Sequence, residues 1–215
     1  MKIIEEFQTH ADIERAVKQE AYLRHQFKFL GLTSPVRRAL SKEFLKEKAK
    51  EKPIDWSLVD KLWLEEKREF QYLACDYLRQ MKKNLTVSDL PKIQQLATEK
   101  SWWETVDSLD ELVGTILQAD SSAVQIILQW SRHDNFWVRR IAIDCQLGFK
   151  ESTDKDLLSK VILNNLGSNE FFINKAIGWA LRDYSKTNPE WVRAFLSQHS
   201  DELSSLSRRE AGKYL

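Results

Sequence analysis

Hydrophobic and polar residues recur along most of the chain with the three- to four-residue spacing of amphipathic helices. Short segments containing Gly, Pro, Asn and Ser, the residues that end helices and form turns, interrupt this pattern. The interruptions lie at 31–35, 52–53, 89–91, 166–169 and 187–189. Because they recur at the spacing of helix pairs, the pattern predicts an all-α protein.

A weak internal repeat underlies the predicted helices. Its anchors are separated by 33 to 35 residues, and each begins a helix-like stretch: Val36, Phe70, Trp103, Trp137 and Phe172. A period of this length in a helical protein is typical of stacked helix pairs that share a core with their neighbours. We therefore predict a HEAT-like α-α superhelix, a solenoid of about six repeats, as a single domain over residues 1–215.

One residue departs from the repeat. Four positions after the anchors, on the same helix face, the chain has Leu40, Ala74, Asp107, Ile141 and Ala176. Asp107 alone is charged, and a carboxylate at a core position must be hydrogen-bonded, ion-paired or open to a groove. Three positions after the last two anchors stand Arg140 and Lys175, so positive groups are expected beside Asp107. An internal Asp–Arg pair that only joins two repeats and a functional carboxylate both remain open.

Tryptophan is several-fold more frequent than usual, with 8 residues. Most of them are expected to pack in the core, as aromatic residues at helical spacing usually do. Trp103, however, precedes Asp107 by four residues and shares its helix face. An aromatic ring beside a carboxylate is typical of a functional site.

Composition and charge add two constraints. A chain of 215 residues with 42% hydrophobic residues can bury a sizeable core without disulfides or metals. The net charge is only +1, but residues 21–50 carry eight basic and two acidic side chains, whereas residues 101–135 carry one basic and six acidic. Such polarity allows a polyanion to bind at one place on a nearly neutral molecule, although ordinary solvated helix faces would give the same pattern.

Cysteine usage and hydropathy indicate the compartment. Cys75 and Cys145 lie in apolar helical stretches, so we expect buried, reduced thiols rather than a disulfide. The chain has no predicted leader peptide and no apolar run long enough to span a membrane. We therefore expect a soluble cytoplasmic protein.

Several kinds of chemistry have no support in the sequence. The 6 glycines are scattered singly, which argues against a phosphate-binding loop. The 4 histidines have no ligand spacing with one another or with the cysteines, so we predict no metal site. The candidate chemistry therefore rests on a carboxylate, aromatic rings and arginine, without a cofactor.

Four segments, at 21–31, 100–107, 137–143 and 170–182, resemble the AlkD family of bacterial DNA glycosylases. The most specific strings are Ser-Trp-Trp-Glu-Thr-Val-Asp at 101–107 and Phe-Phe-Ile-Asn-Lys-Ala-Ile-Gly-Trp at 171–179, and the similarity extends from about residue 12 to the C-terminus. The resemblance implies a HEAT-like solenoid whose concave face binds duplex DNA. It also implies hydrolytic removal of cationic N3- and N7-alkylated purines, such as 3-methyladenine and 7-methylguanine.

The resemblance also assigns residues. It implies that Asp107 is the catalytic carboxylate, that Trp103 and Trp179 face the lesion, and that Arg140 holds a phosphate. For DNA binding we predict Tyr22, Ser34, Arg37, Arg38, Arg139, Lys175 and Arg182. The departures from the family pattern are small, with Glu104 at a position where Asp is common.

The mechanism that the resemblance implies needs no general acid, because an alkylated purine is already cationic and leaves as a neutral base. Asp107 would stabilise the positive charge that develops on the deoxyribose and would orient the attacking water. The lesion is expected to stay stacked rather than flip into a pocket. We expect a monomeric, monofunctional alkylpurine glycosylase, and the alternative is a non-catalytic scaffold that binds DNA or protein through its concave face.

Overall fold

The computed structural model describes residues 1–215 and shows an all-α protein, which confirms the predicted fold class. Its helices are α1 (Lys2–Thr9), α2 (Ile13–Tyr22), α3 (Ser34–Lys48), α4 (Trp56–Leu64), α5 (Arg68–Met81), α6 (Leu90–Thr98), α7 (Trp103–Ala119), α8 (Ala123–Trp130), α9 (Phe136–Asp144), α10 (Lys155–Leu163), α11 (Phe171–Ser185), α12 (Pro189–Gln198) and α13 (Ser205–Ala211). Short 3-10 helices lie at Lys82–Asn84, Val87–Asp89, Lys150–Ser152 and Gly212–Tyr214.

The predicted breaks coincide with helix ends because they contain the residues that cap helices. The Thr33 side chain accepts a hydrogen bond from the Val36 N–H at the start of α3, and the Asn188 side chain accepts one from the Trp191 N–H at the start of α12. Such caps satisfy N–H groups that have no partner within the helix. In α12, Pro189 stands at the first position, where its missing N–H costs nothing.

The chain forms two compact units, Met1–Asn84 and Leu85–Leu215. In the first unit, α3 packs against α1 and α5, and α4 packs against α5. The rings of Phe7 and Phe70 are stacked there with their centroids 5.6 Å apart. The organisation of residues 1–215 as a single repeat domain stays a prediction.

The second unit contains the helices that carry the candidate site. Helices α7, α9, α11 and α13 pack one against the next, while α6, α8, α10 and α12 flank them. The repeat anchors Trp103, Trp137 and Phe172 lie in the first turns of α7, α9 and α11. The repeat read from the sequence therefore marks equivalent helices of successive helix pairs, and residues at one register position lie on neighbouring helices.

Both cysteines are free and buried, as predicted. Burial raises the pKa of the Cys145 thiol and raises that of Cys75 to about 12, so both thiols stay protonated at neutral pH. No helix combines the length and the apolar character that a membrane span requires.

Candidate active site

Asp107 and Arg140 form a bidentate ion pair between α7 and α9. The Nε of Arg140 donates to Oδ1 of Asp107 at 2.8 Å, and Nη2 donates to Oδ2 at 3.0 Å. The Arg140 side chain is 2% exposed, whereas the Asp107 side chain is 23% exposed. The carboxylate is therefore held by a buried guanidinium and is itself partly exposed to solvent.

Arg140 is fixed by two further groups of the second unit. Its Nη1 donates to the backbone carbonyl of Phe172 at 2.9 Å, which ties α9 to α11. Its Nη2 lies 3.5 Å from Oδ2 of Asp144, four residues later on the same helix. The sequence interpretation assigned Arg140 to a DNA phosphate. The guanidinium is buried among these partners and binds Asp107, and the assignment of Arg140 to a phosphate stays a prediction.

A glycine allows α7 and α9 to approach closely beside this pair. A Cβ atom added at Gly114 would lie 2.3 Å from the backbone oxygen of Cys145, far inside van der Waals contact. Any larger residue at this position would push α9 away from α7. The short separation keeps Asp107 within reach of Arg140.

Two more carboxyl groups lie beneath the ion pair. Asp110 and Asp144 are buried, and each has an oxygen within 4.8 Å of Asp107 and of the other. Burial raises the pKa of Asp144 to about 7 and, together with the neighbouring charge of Asp144, raises the pKa of Asp110 well above its usual value. Burial therefore favours the protonated forms of Asp110 and Asp144, whereas Asp107 is the partly exposed carboxyl of this group.

The same three carboxyl groups are the residues of the chain whose geometry could hold a metal ion. The guanidinium of Arg140 already lies against Asp107 and Asp144. Arg140 thus already places a positive charge among these carboxyl groups.

Trp179 lies beside the ion pair, and three cationic side chains surround its indole ring. The guanidinium carbon of Arg140 is 5.3 Å from the centroid of its ring, the Nζ of Lys175 is 5.5 Å away, and the guanidinium carbon of Arg182 is 5.8 Å away. Lys175 and Arg182 flank Trp179 on the same face of α11, four residues before and three residues after it. The structure thereby brings four of the predicted residues together.

The tryptophans divide into core and partly exposed residues. Trp137 is buried and, like Trp102, has its ring against Phe172. Trp103 and Trp179 are only partly buried. Trp103 begins α7 one turn before Asp107, so the aromatic ring and the carboxylate share one helix face as predicted.

Arg139 is partly buried next to Arg140 on α9. Its Nη1 donates to the backbone carbonyls of His133 and Asp134 at 2.8 and 3.1 Å. Those bonds fix the loop before α9. The assignment of Arg139 to DNA binding stays a prediction.

The four DNA-binding candidates of the first unit differ in exposure. Tyr22, at the end of α2, is 73% exposed, and Ser34 and Arg38 on α3 are exposed as well. Arg37, in contrast, is buried, and its Nε and Nη2 donate to Oδ2 of Asp76 at 3.2 and 3.0 Å. Its charge is used in an ion pair between α3 and α5, and its assignment to DNA stays a prediction.

Sequence reasoning missed three acidic residues of this site. Asp110 follows Asp107 by three residues and Asp144 follows Arg140 by four, so helical spacing could have placed them on the helix faces of Asp107 and Arg140. Glu210, which binds Lys175 and Arg182, could not be found in this way. It lies on α13, and only the packing of α13 against α11 brings it to these cations.

Comparison with known proteins then identifies the family. Residues 3–215 match the family described as DNA alkylation repair enzyme. The structure described as a predicted DNA alkylation repair enzyme from Enterococcus faecalis is 37% identical, with a TM-score of 0.89 over 95% of this chain and 96% of that chain. The chain belongs to the DNA alkylation repair enzyme family. The family resemblance inferred from the sequence is thus confirmed.

A second solved structure supports the fold alone. The structure of smu.31 from Streptococcus mutans UA159 is 19% identical, covers 83% of this chain and 97% of its own, and has a TM-score of 0.59. No match was found among curated proteins.

Membership of the DNA alkylation repair enzyme family places the chain in the repair of alkylated DNA, with DNA as its partner.

Proposed function

We propose that this member of the DNA alkylation repair enzyme family is a glycosylase that hydrolyses the N-glycosidic bond of N3- and N7-alkylated purines in duplex DNA. The observation that carries the proposal is the open carboxylate of Asp107, fixed at two points by buried Arg140. Partly exposed Trp103 and Trp179 lie on the helices of the same unit. These residues provide an oriented anion and aromatic surfaces at one site.

The leaving group determines which catalytic groups are needed. Alkylation at N3 or N7 makes the purine cationic, so the electron pair of the C1′–N bond neutralises the base as it leaves. No protein group has to protonate it, which agrees with a site made of carboxylates, arginine and tryptophan. The deoxyribose takes up the positive charge.

Asp107 would act on that developing charge. A carboxylate that is already oriented stabilises an oxocarbenium-like sugar without reorganisation during the reaction. The two hydrogen bonds from Arg140 fix the plane of the carboxylate. The partly exposed carboxylate would also orient the water whose oxygen bonds to C1′, and the proton that this water loses passes to the carboxylate or to solvent.

The surroundings of Asp107 favour a cationic substrate. Aromatic faces attract positive charge, and Trp103 stands one helical turn away from the carboxylate. Because Asp107 reaches solvent, we propose that it approaches the sugar from the groove while the lesion stays in the base stack. We also propose that the enzyme acts as a monomer without a cofactor or metal.

One structural feature favours a second candidate function, that of a non-catalytic DNA- or protein-binding scaffold. The Asp107–Arg140 pair ties α7 to α9, as a purely structural ion pair would. Helical-repeat proteins commonly serve as binding surfaces without catalysis.

Base release under single-turnover conditions separates the two functions. The protein in excess is incubated with duplex DNA that carries 7-methylguanine, and free base is measured over time. The glycosylase proposal predicts release well above the spontaneous rate. Tight duplex binding without release would establish the scaffold instead, whereas absence of duplex binding even at low salt would exclude both DNA functions.

A further inference from the structure

A single buried carboxylate holds three cations at the boundary between α11 and α13. Glu210 has a side chain that is 5% exposed, and it receives Lys175 at 2.9 Å and Arg182 at 2.7 Å. Lys213, in the 3-10 helix after α13, donates to both of its oxygens at 3.0 and 2.9 Å. These hydrogen bonds, from Lys213 and then from Lys175, lower the pKa of Glu210 to about 2.

Two of these cations also contact the candidate active site. The charged ends of Lys175 and Arg182 lie within 6 Å of the ring centroid of Trp179, and both also form ion pairs with Glu210. Their side chains are 24% and 25% exposed, so both remain open to solvent. Each cation therefore contacts both an aromatic ring and a carboxylate and is still partly exposed to solvent.

The backbone brings Glu210 to this depth. A Cβ atom added at Gly178 would lie 2.5 Å from Cβ of Glu210, so α11 and α13 are in contact at a residue without a side chain. The two helices are also joined by a hydrogen bond from the Ser207 hydroxyl to the backbone oxygen of Asn174 at 2.8 Å. Gly178 lies between Lys175 and Arg182 in sequence, which centres Glu210 on both.

The local charge suits an anion. Three cations on one carboxylate leave two positive charges in excess, and the side chains that carry them have already lost much of their rotamer freedom. Flexible lysine and arginine side chains lose that freedom only on binding, which weakens each contact. A fixed set of donors beside the proposed active site is suited to one phosphate of a strand backbone.

We propose that Glu210 is a positioning residue that holds Lys175, Arg182 and Lys213 as a binding site for a backbone phosphate of DNA beside Trp179. The inference rests on the proposed function in so far as the partner is duplex DNA. It adds Lys213 to the DNA-binding residues and gives α13 a part in the site.

Glu210→Gln tests the inference, because it keeps the shape of the side chain and removes its charge. The matched control is Glu190→Gln on α12, which changes the net charge equally at an exposed position. Dissociation constants for an undamaged duplex are measured over a salt series, and circular dichroism confirms folding. Simple charge attraction predicts that both variants bind DNA more tightly. A positioning role predicts that Glu210→Gln binds about tenfold more weakly, whereas Glu190→Gln stays within about twofold of the native protein or binds more tightly.

Rescue and a second variant complete the test. Glu210→Asp keeps the charge and should restore most of the affinity. If Glu210→Gln does not fold, Lys213→Gln is measured instead. This variant should reduce the slope of log affinity against log salt concentration by about one. Lys155→Gln, at an exposed position, is its control. Native or tighter binding by folded Glu210→Gln, or an unchanged slope for Lys213→Gln, would overturn the inference.

Binding and base release are measured separately, so that the two proposals can fail independently. If the native protein binds the duplex without releasing base, the glycosylase proposal is rejected. The binding assay then decides alone whether the phosphate site exists. If the native protein releases base and Glu210→Gln binds the duplex as tightly as the native protein, only the proposal of the phosphate site is rejected.

Discussion

Arg140 donates two hydrogen bonds to Asp107 from a position that solvent scarcely reaches, while the carboxylate itself is open. The pair ties α7 to α9, as a structural ion pair would, and the exposure of Asp107 also gives it the access that a catalytic carboxylate needs. A purely structural pair needs no exposed oxygen, whereas a carboxylate that acts on a substrate needs both support and access.

Arg140→Lys tests the support. Lysine keeps the charge but cannot donate two parallel N–H groups to one carboxylate. Asp107 would lose its fixed plane, and we expect the single-turnover rate of base release to fall roughly tenfold to hundredfold. Duplex affinity should change little, because the guanidinium is buried. An unchanged rate would show that the orientation of Asp107 does not matter.

Asp144→Asn tests whether burial raises the pKa of Asp144. In the folded protein the pKa of Asp144 is raised to about 7, and its usual value is 3.8. The folded state therefore binds more protons than the unfolded state between these values, so this residue stabilises the protein below pH 4 and loses that contribution as the pH rises to 7.

Urea unfolding of both proteins between pH 4.5 and 8 measures this effect. The unfolding free energy of Asp144→Asn should fall less with rising pH than that of the native protein, by an amount on the order of a few kcal/mol. Asp110, whose pKa is also raised by burial, keeps part of the dependence in the variant. Parallel pH profiles would show that Asp144 does not take up the proton.

Gly114→Ala tests the close approach of α7 and α9. The added Cβ would meet the backbone oxygen of Cys145 at 2.3 Å, and we expect a loss of about 2 to 4 kcal/mol of unfolding free energy. Gly212→Ala is the control, since a Cβ there has no neighbour within 4 Å and φ is −76°. Equal stabilities of the two variants in urea unfolding would contradict the described contact.

Arg37→Gln and Arg38→Gln form a matched pair on α3. Arg37 is buried against Asp76, so its replacement should cost about 1 to 3 kcal/mol of unfolding free energy, with Arg79 continuing to pair with Asp76. Arg38 is exposed, so its replacement should change stability by less than about 0.5 kcal/mol.

DNA binding should separate this pair in the opposite way. Losing one phosphate contact at Arg38 should lower the salt slope of duplex binding by about 0.9. Thermal unfolding and a salt series of dissociation constants measure both effects. If Arg37→Gln lowers the salt slope and Arg38→Gln does not, the assignment of the two residues is reversed.

Much of the fold could be predicted because its determinants are local. Asn188 before Pro189 and Thr33 before Ser34 are helix-start signals that can be read within a few residues. The repeat placed Asp107 and Arg140 at neighbouring register positions, and the structure joins them. The register therefore predicted positive groups beside the odd carboxylate, and the ion pair with Arg140 was one of the two alternatives that it left open.

The rest of the site depends on burial and on distant packing. Arg37 and Arg38 are indistinguishable in a basic segment, and only the orientation of α3 against α5 buries the first of them. The support given by Glu210 to Lys175 spans 35 residues and depends on the contact between α11 and α13 at Gly178. Neither feature has a local signal in the sequence.

The most direct test of the catalytic proposal is base release by Asp107→Asn. The asparagine keeps the size of the side chain and can still accept a hydrogen bond from Arg140, while the negative charge is lost. The single-turnover rate of 7-methylguanine release from duplex DNA should fall at least about a hundredfold, while duplex affinity stays within about threefold of the native value. The control, Asp156→Asn at an exposed position on α10, should react at the native rate. Release by folded Asp107→Asn at the native rate would contradict the account.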